Sequence, residues 1–278
     1  MTASPRRVSP PAAAEIPASG RPGGARAGTT LLAYVLHHHD WSETSLIVEL
    51  FTRQQGRVVV AAKGAKRPTS QLRPVLLPFQ PLLAHLGRLP ADEQAEVRTL
   101  RSAEWVGGAP LLAAAAMFPG YYLNELLLKL LARQDPHPAL FDAYADTLGA
   151  LGALGAAGDE AAALRAFELL LLRETGVLPD LAVATLTAEP LASAARYTLH
   201  AEAGVSPDAH GPPGAAWVAL EAALAHGSMT ALRQAAAPYA AALRAPLRAA
   251  LHYHLGHAPL RTRQVWQGVQ QLAGTPQR

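Results

Sequence analysis

Leu46-Ile47-Val48-Glu49-Leu50-Phe51 and Arg57-Val58-Val59-Val60-Ala61-Ala62 are two short, β-branched, apolar runs. Between them lies the polar turn Arg53-Gln54-Gln55-Gly56. Such a pair reads as two strands joined by a hairpin. Upstream, Leu31-Leu32-Ala33-Tyr34-Val35-Leu36 is a further run of the same kind. Downstream, the third run stops at Gly64, Pro78 to Leu86 forms a fourth, and Val97 to Val106 a fifth after the loop Gly87 to Asp92. Five short strands without helical period predict a small barrel or a strongly bent sheet. At this size the OB barrel is the architecture of choice, and it often binds nucleic acid. An SH3-like barrel fits the pattern nearly as well.

From Pro110 onward the period changes. Leu123, Leu126, Leu127, Leu130 and Leu131 recur at helical spacing and make one apolar face, with Glu125 and Lys129 paired four apart beside it. Asp135-Pro136-His137-Pro138 ends that helix, and Pro138 suits the first turn of the next. Asp159 is placed to cap a helix carrying Leu164, Phe167, Leu170 and Leu171, which Gly176 closes. Residues 177–214 hold five prolines and read as irregular. Helices follow at about 215–226, 230–256 and 261–272, the second broken or kinked at Pro238 and Pro246. The fold class is therefore α+β. Residues 1–28 form a disordered basic tail, 29–106 a β domain and 107–278 an all-α domain with an insert at 177–214.

The 278 residues carry a net charge of +3, and that small figure hides strong segregation. Residues 1–30 are +3, 31–106 are +2, 107–221 are −8 and 222–278 are +6 with no acid at all. From Thr52 to Ala91 there are seven cations and no carboxylate: Arg53, Arg57, Lys63, Lys66, Arg67, Arg73 and Arg88. A basic run of this kind suits phosphate, unless the acidic middle segment supplies counter-charges after folding. Arg244, Arg248 and His252 share one helix face, with Leu243, Leu247 and Leu251 beside it, and Arg261 and Arg263 follow. They predict a second surface for phosphate or an acidic partner. Tyr34, Trp41, Phe51 and Phe79 interleave sparsely with the basic residues of the first domain, and Trp41 stands at a turn where a base could stack.

Several chemistries have no support. There is no Cys, so disulfides, thiolate metal sites and a Cys nucleophile are excluded. Lys63-Gly64-Ala65-Lys66 lacks the upstream glycine and the hydroxyl of a phosphate-binding loop, and neither G-x-S-x-G nor H-E-x-x-H occurs. Carboxylates are scattered. His37-His38-His39 alternates between strand faces, and His252, His254 and His257 diverge on a helix, so no metal site is read in either. No run of apolar residues is long enough to span a bilayer. Arg6-Arg7 is followed by Ser9-Pro10-Pro11 rather than by an apolar segment, so an export signal is not read and a cytoplasmic protein is expected. Without further information, a non-enzymatic scaffold whose basic barrel binds an acidic protein remains the alternative to DNA binding.

A resemblance narrows the choice. Tyr34-Val35-Leu36-His37, Trp41-Ser42-Glu43-Thr44-Ser45-Leu46, Phe51-Thr52-Arg53, Gly56-Arg57-Val58 and Ala62-Lys63-Gly64-Ala65-Lys66 resemble the amino-terminal domain of the bacterial DNA repair and recombination family RecO. Leu77-Pro78-Phe79-Gln80-Pro81-Leu82 and Leu100-Arg101-Ser102-Ala103-Glu104 continue it. Tyr122 to Leu127, Leu164 to Leu170 and Leu260-Arg261-Thr262-Arg263 are similar to the family's helical part. The resemblance implies an OB barrel followed by helices, without a catalytic centre or cofactor. It implies binding of single- and double-stranded DNA and annealing of complementary strands. It further implies, as partners, the acidic, apolar carboxy-terminal tail of single-stranded-DNA-binding protein, RecR, and RecA indirectly. Arg165 resembles the family's basic position for that tail, and Phe167 and Leu126 are its expected apolar neighbours. Many family members carry a four-Cys zinc module after the stretch matching Thr175-Gly176-Val177-Leu178; the Cys-free sequence here implies none.

Overall fold

The computed structural model describes residues 28–87, 97–108, 111–153, 157–256, 260–262, 264–265 and 268. The expected amino-terminal tail, Arg88, Asp92-Glu93, His257, Arg263 and most of the expected final helix lie outside the described residues.

Strands β1 (Thr29–Asp40), β2 (Leu46–Thr52), β3 (Gly56–Ala62), β4 (Leu82–Leu86) and β5 (Arg98–Trp105) close a barrel in the order β1-β2-β3-β5-β4. Neighbours are antiparallel except β3 and β5, which run parallel through Val60–Arg98 and Ala61–Thr99. This is the OB order, which settles the choice against the SH3-like alternative. Alternation builds two faces from each strand. Leu31, Ala33 and Val35 of β1, Val48 and Leu50 of β2, and Val58, Val60 and Ala62 of β3 fill the interior. Tyr34 and Leu36 of β1 and Phe51 of β2 point outward, into the core of the helical part.

Two boundaries differ from expectation. β1 does not stop at Leu36 but runs on through the three histidines, because its ladder with β2 continues: His37 faces Glu49, His38 faces Val48 and His39 faces Ile47. The fourth strand starts at Leu82, not Pro78, since residues 63–81 form a series of turns that plug one mouth of the barrel with Ala65, Leu72 and Leu76.

Helices α1 (Ala114–Leu130), α2 (Pro138–Gly152), α3 (Ala157–Glu174), α4 (Gly214–His226), α5 (Met229–Ala236) and α6 (Ala240–Leu255) follow. Pro138 does open α2, and Gly176 closes α3 at φ +73°. Asp159 lies inside α3 rather than ahead of it. Pro238 breaks the expected long helix into α5 and α6 through a 3-10 turn, whereas Pro246 is accommodated within α6. α3 packs against α2, α5 and α6, so its residues are buried nearly all round.

Residues 177–214 are not irregular. They form two ribbons, β6 (Val183–Ala184) with β7 (Glu189–Pro190) and β8 (Tyr197–His200) with β9 (Gly204–Pro207). Leu181, Leu191, Leu199 and Val205 enter the helical core. The buried Trp217 indole donates to Tyr197 O at 3.0 Å, and Glu221 accepts from the Leu181 amide at 2.9 Å, so α4 holds the insert by hydrogen bonds and apolar packing.

The barrel and the helices share a seam. Leu36 is bulged out of the β1–β2 ladder, and Asn124 of α1 donates to its carbonyl at 3.0 Å. Tyr144 of α2 donates in turn to Asn124. The rings of Tyr34 and Phe51 each lie 5.4 Å from Phe141. Burial, then the carboxylates of Asp146 and Asp142, push the Tyr34 hydroxyl up to about 12. Phe79 sits at φ +67°, a costly position for a ring, and is held by Tyr121 at 4.9 Å and by Gly120, where a Cβ would come within 2.9 Å of it.

Candidate nucleic-acid interface

The seven cations of the first basic segment do not form one surface. Arg53 leaves the β2–β3 turn to make two 2.9 Å hydrogen bonds with Asp142 of α2. Arg57 is buried: one guanidinium nitrogen donates to Leu128 O and Leu131 O, each at 2.6 Å, and the other to Glu49 at 3.3 Å. Arg133 also pairs with Glu49, at 3.0 Å. The acidic middle segment thus supplies the counter-charge for Arg53, through Asp142, whereas the counter-charge of Arg57 is Glu49 of the barrel itself. A guanidinium buried in a seam presents nothing to phosphate, so Arg57 leaves the candidate surface, and Arg53 is tied to α2.

Lys63, Lys66, Arg67 and Arg73 sit together on the loop that plugs the barrel mouth. Lys63, Arg67 and Arg73 are exposed and have no carboxylate within ion-pair distance among the described residues. Lys66 is half-buried, donating to Ser42 O at 3.2 Å and pairing with Asp40 at 3.1 Å. The sequence explains this division. Ala65, Leu72 and Leu76 turn inward as the plug, which leaves the long cations outside. Gly64, at φ +73°, makes the first turn, and the Arg67 side chain lies 3.7 Å from where a Cβ would stand.

Two exposed tryptophans flank this loop. Trp41 is 57% exposed in the β1–β2 turn, beside the Lys66 contact. Trp105 is 54% exposed at the end of β5, and its indole N–H donates to Val75 O at 3.2 Å. Trp105 and the exposed Arg101 on the same strand escaped the sequence reading, because β5 is the least regular run. Conversely, Tyr34, Phe51 and Phe79 are buried in the seam and are not interface aromatics. Arg98 is buried too, donating to Gly87 O at 2.9 Å and Thr29 at 3.0 Å; burial lowers its pKa.

The second basic region centres on α6. Arg244 and Arg248 are exposed and Leu243, Leu247 and Leu251 are buried, as the spacing predicts. The two arginines lie near a buried polar group on α1 and α3. Glu168 accepts from Arg165 at 2.6 Å and from the Tyr122 hydroxyl at 2.7 Å. Arg244 is close enough to act on the Glu168 charge, and Arg248 on Tyr122. Burial raises the Glu168 carboxyl despite these partners, and one of its oxygens and the Arg165 Nε have no partner among the described residues. Arg165 is itself buried. Phe167 and Leu126, expected as apolar neighbours for a bound peptide, are wholly enclosed in the helical core and cannot be reached from solvent. They leave the candidate site.

Arg261 is exposed at the start of the last helical stretch, which a carboxylate anchors. Glu125 accepts from the Arg261 amide at 2.7 Å, the Thr262 amide at 2.9 Å and the Thr262 hydroxyl at 2.7 Å, and pairs with Lys129 at 3.1 Å. A carboxylate facing helical N–H groups is favourable. Burial alone would raise the Glu125 carboxyl, but these donors outweigh it and hold it below its ordinary value. His37 and His39 meet edge to face at 4.3 Å; burial, then its two histidine neighbours, lower His37. Among the described residues no group of three or more His, Asp or Glu could hold a metal, and no helix is long and apolar enough to cross a membrane.

Comparison with known proteins agrees with this layout. Residues 29–109 match the family described as Recombination protein O N terminal, and residues 114–264 match Recombination protein O C terminal. The DNA repair protein RecO of Variovorax paradoxus (strain S110) is 53% identical over 251 residues, covering 86% of this chain and 96% of that protein. The RecO proteins of Delftia acidovorans (strain DSM 14801 / SPH-1) and Polaromonas sp. (strain JS666 / ATCC BAA-500) are 52% and 50% identical, with the same coverage. Both halves of the fold, the barrel order and the aligned length point one way: the chain belongs to the family of the DNA repair protein RecO.

Proposed function

We propose that this protein is a cytoplasmic, nucleoid-associated mediator of DNA repair and homologous recombination that works without a catalytic step. It binds single- and double-stranded DNA and anneals complementary strands. Acting with RecR, it helps load RecA onto strands coated by single-stranded-DNA-binding protein. The observation that carries this reading is the set of exposed cations Lys63, Arg67 and Arg73 on the barrel's plugging loop, which have no carboxylate partner among the described residues. Cations there neutralise phosphates, so two like-charged strands can lie close together, and base pairing supplies the free energy.

The second basic region is the proposed contact for the acidic tail of the coating protein. Arg244 and Arg248 offer exposed charge-assisted donors, with Arg165 behind them. Arg165→Glu would place a second carboxylate against the buried Glu168 and test folding rather than binding. Arg244→Glu with Arg248→Glu is the informative variant. It should abolish binding of a tail peptide while leaving naked-oligonucleotide binding nearly intact, as read by fluorescence anisotropy.

The central test is annealing of complementary oligonucleotides, with and without coating protein, at two salt concentrations. If about five phosphates are neutralised on a single strand, affinity falls roughly a hundredfold from 50 to 200 mM salt. Affinity that is flat over that range would sink the electrostatic mechanism. Charge reversal at Arg67 and Arg73 should reduce both binding and the salt slope.

A further inference from the structure

We infer that Trp41 and Trp105 are base-stacking platforms that give this end of the barrel a preference for single strands over duplex. The inference rests on the DNA-binding reading above and adds to it the residues that tell one form of DNA from another.

Large aromatic rings are usually enclosed, as Trp217 is here. Trp41 and Trp105 instead present more than half of their surface to solvent. The loop with the exposed cations is fastened next to each of them. At one side the Lys66 amide donates to Thr44 O at 3.0 Å and its ammonium to Ser42 O at 3.2 Å, in the turn that carries Trp41. At the other side the Trp105 indole itself holds the loop, through Val75 O. Lys63, Arg67 and Arg73 therefore lie along a loop with an exposed indole at each flank.

The local charges sort a ligand in the same sense. Asp40 and Glu43 stand beside Trp41, and Glu104 precedes Trp105. Asp40 is paired with Lys66, so Glu43 is the carboxylate left to repel phosphate from the Trp41 ring, while the loop cations attract it. A backbone drawn onto the loop turns its bases toward the flanks. Only a single strand has base faces free to stack there, since a duplex keeps them inside. The Trp105 N–H is already satisfied and its ring is pinned, so stacking costs little ordering.

The test compares the full-length chain with Trp41→Ala, Trp105→Ala and Trp105→Phe. The probes are a labelled thymidine oligonucleotide and a blunt duplex of equal length, at fixed salt. Each alanine variant should weaken single-strand binding roughly tenfold, within the range of one lost base stack, and change duplex binding less than about twofold. Trp105→Phe keeps a ring without the N–H and should stay within about threefold of the parent. Thermal melting by circular dichroism checks that each variant is folded. Equal weakening of both probes, no weakening of either, or a phenylalanine variant as weak as alanine would each overturn the proposal. In the last case the ring serves only to anchor the loop. A parent chain that binds neither probe would overturn the DNA-binding reading itself, a distinguishable failure.

Discussion

Arg57 shows how a charged residue becomes structural. Its donors reach two carbonyls at the end of α1 and the carboxylate of Glu49, from a position only 9% exposed. Removing it would leave the carbonyls of Leu128 and Leu131 without this donor in the seam and Glu49 with Arg133 as its remaining ion-pair partner. Arg57→Met should therefore destabilise the protein by about 3 kcal/mol, measured by urea unfolding. A loss below about 1 kcal/mol would contradict a structural role for the guanidinium. One clue was present in the sequence: Glu49 shares parity with Phe51, so a carboxylate and a ring face the same way. What parity does not reveal is that a second domain covers that face, and so Arg53 and Arg57 looked like phosphate ligands. Glu125 makes a pH prediction at this same scale. Its carboxyl is held below the ordinary value, so it contributes stability that is present above that value and lost as pH falls through the folded one. Glu125→Gln should flatten that part of the acid stability curve and speed amide exchange at Arg261 and Thr262 at neutral pH.

Among the elements, the β2–β3 turn is the most constrained. Gly56 has φ +65°, and a Cβ there would fall 1.9 Å from the carbonyl of Asp135 in the α1–α2 connection. The turn is pressed against that connection, with the Gln134 amide donating to Arg57 O at 2.8 Å. Gly56→Ala combines a left-handed backbone with a clash against main chain, and should cost at least about 2 kcal/mol in thermal or urea unfolding. Strands and helices with a clear period were legible: the alternation of β1 to β3 and the Leu123 to Leu131 face needed nothing beyond spacing. The extension of β1 through His37-His38-His39 was not, since its polar residues hide a ladder supplied by β2. The ribbons of the insert were hidden for a different reason. Strands of two to four residues among prolines leave no period to read, and long-range partners such as Trp217 and Glu221 define them.

At the scale of the whole molecule, the sequence divides into a β domain and an all-α domain, and the packing joins them. Tyr34, Leu36, Phe51 and Phe79 belong to the helical core, though they come from the barrel and its loop. Barrel and helices should therefore unfold together. The far-ultraviolet helix signal and the intrinsic fluorescence should give coincident urea transitions, whereas two separated midpoints would show that the seam contributes little. The candidate site was legible only in part, because sequence reveals charge but not which charges meet a partner: Lys63, Arg67 and Arg73 stayed exposed while their neighbours were absorbed.

The seam also fixes a distance. Asn124 grips the bulge of β1, Arg57 grips the end of α1, and Arg53 grips α2, so these contacts clamp the two halves together. A strand held at the plugged mouth of the barrel and a peptide held on α6 would then be kept a set span apart, as if by a ruler. On the proposed reading, such a body would act by placing its two passengers in register with each other.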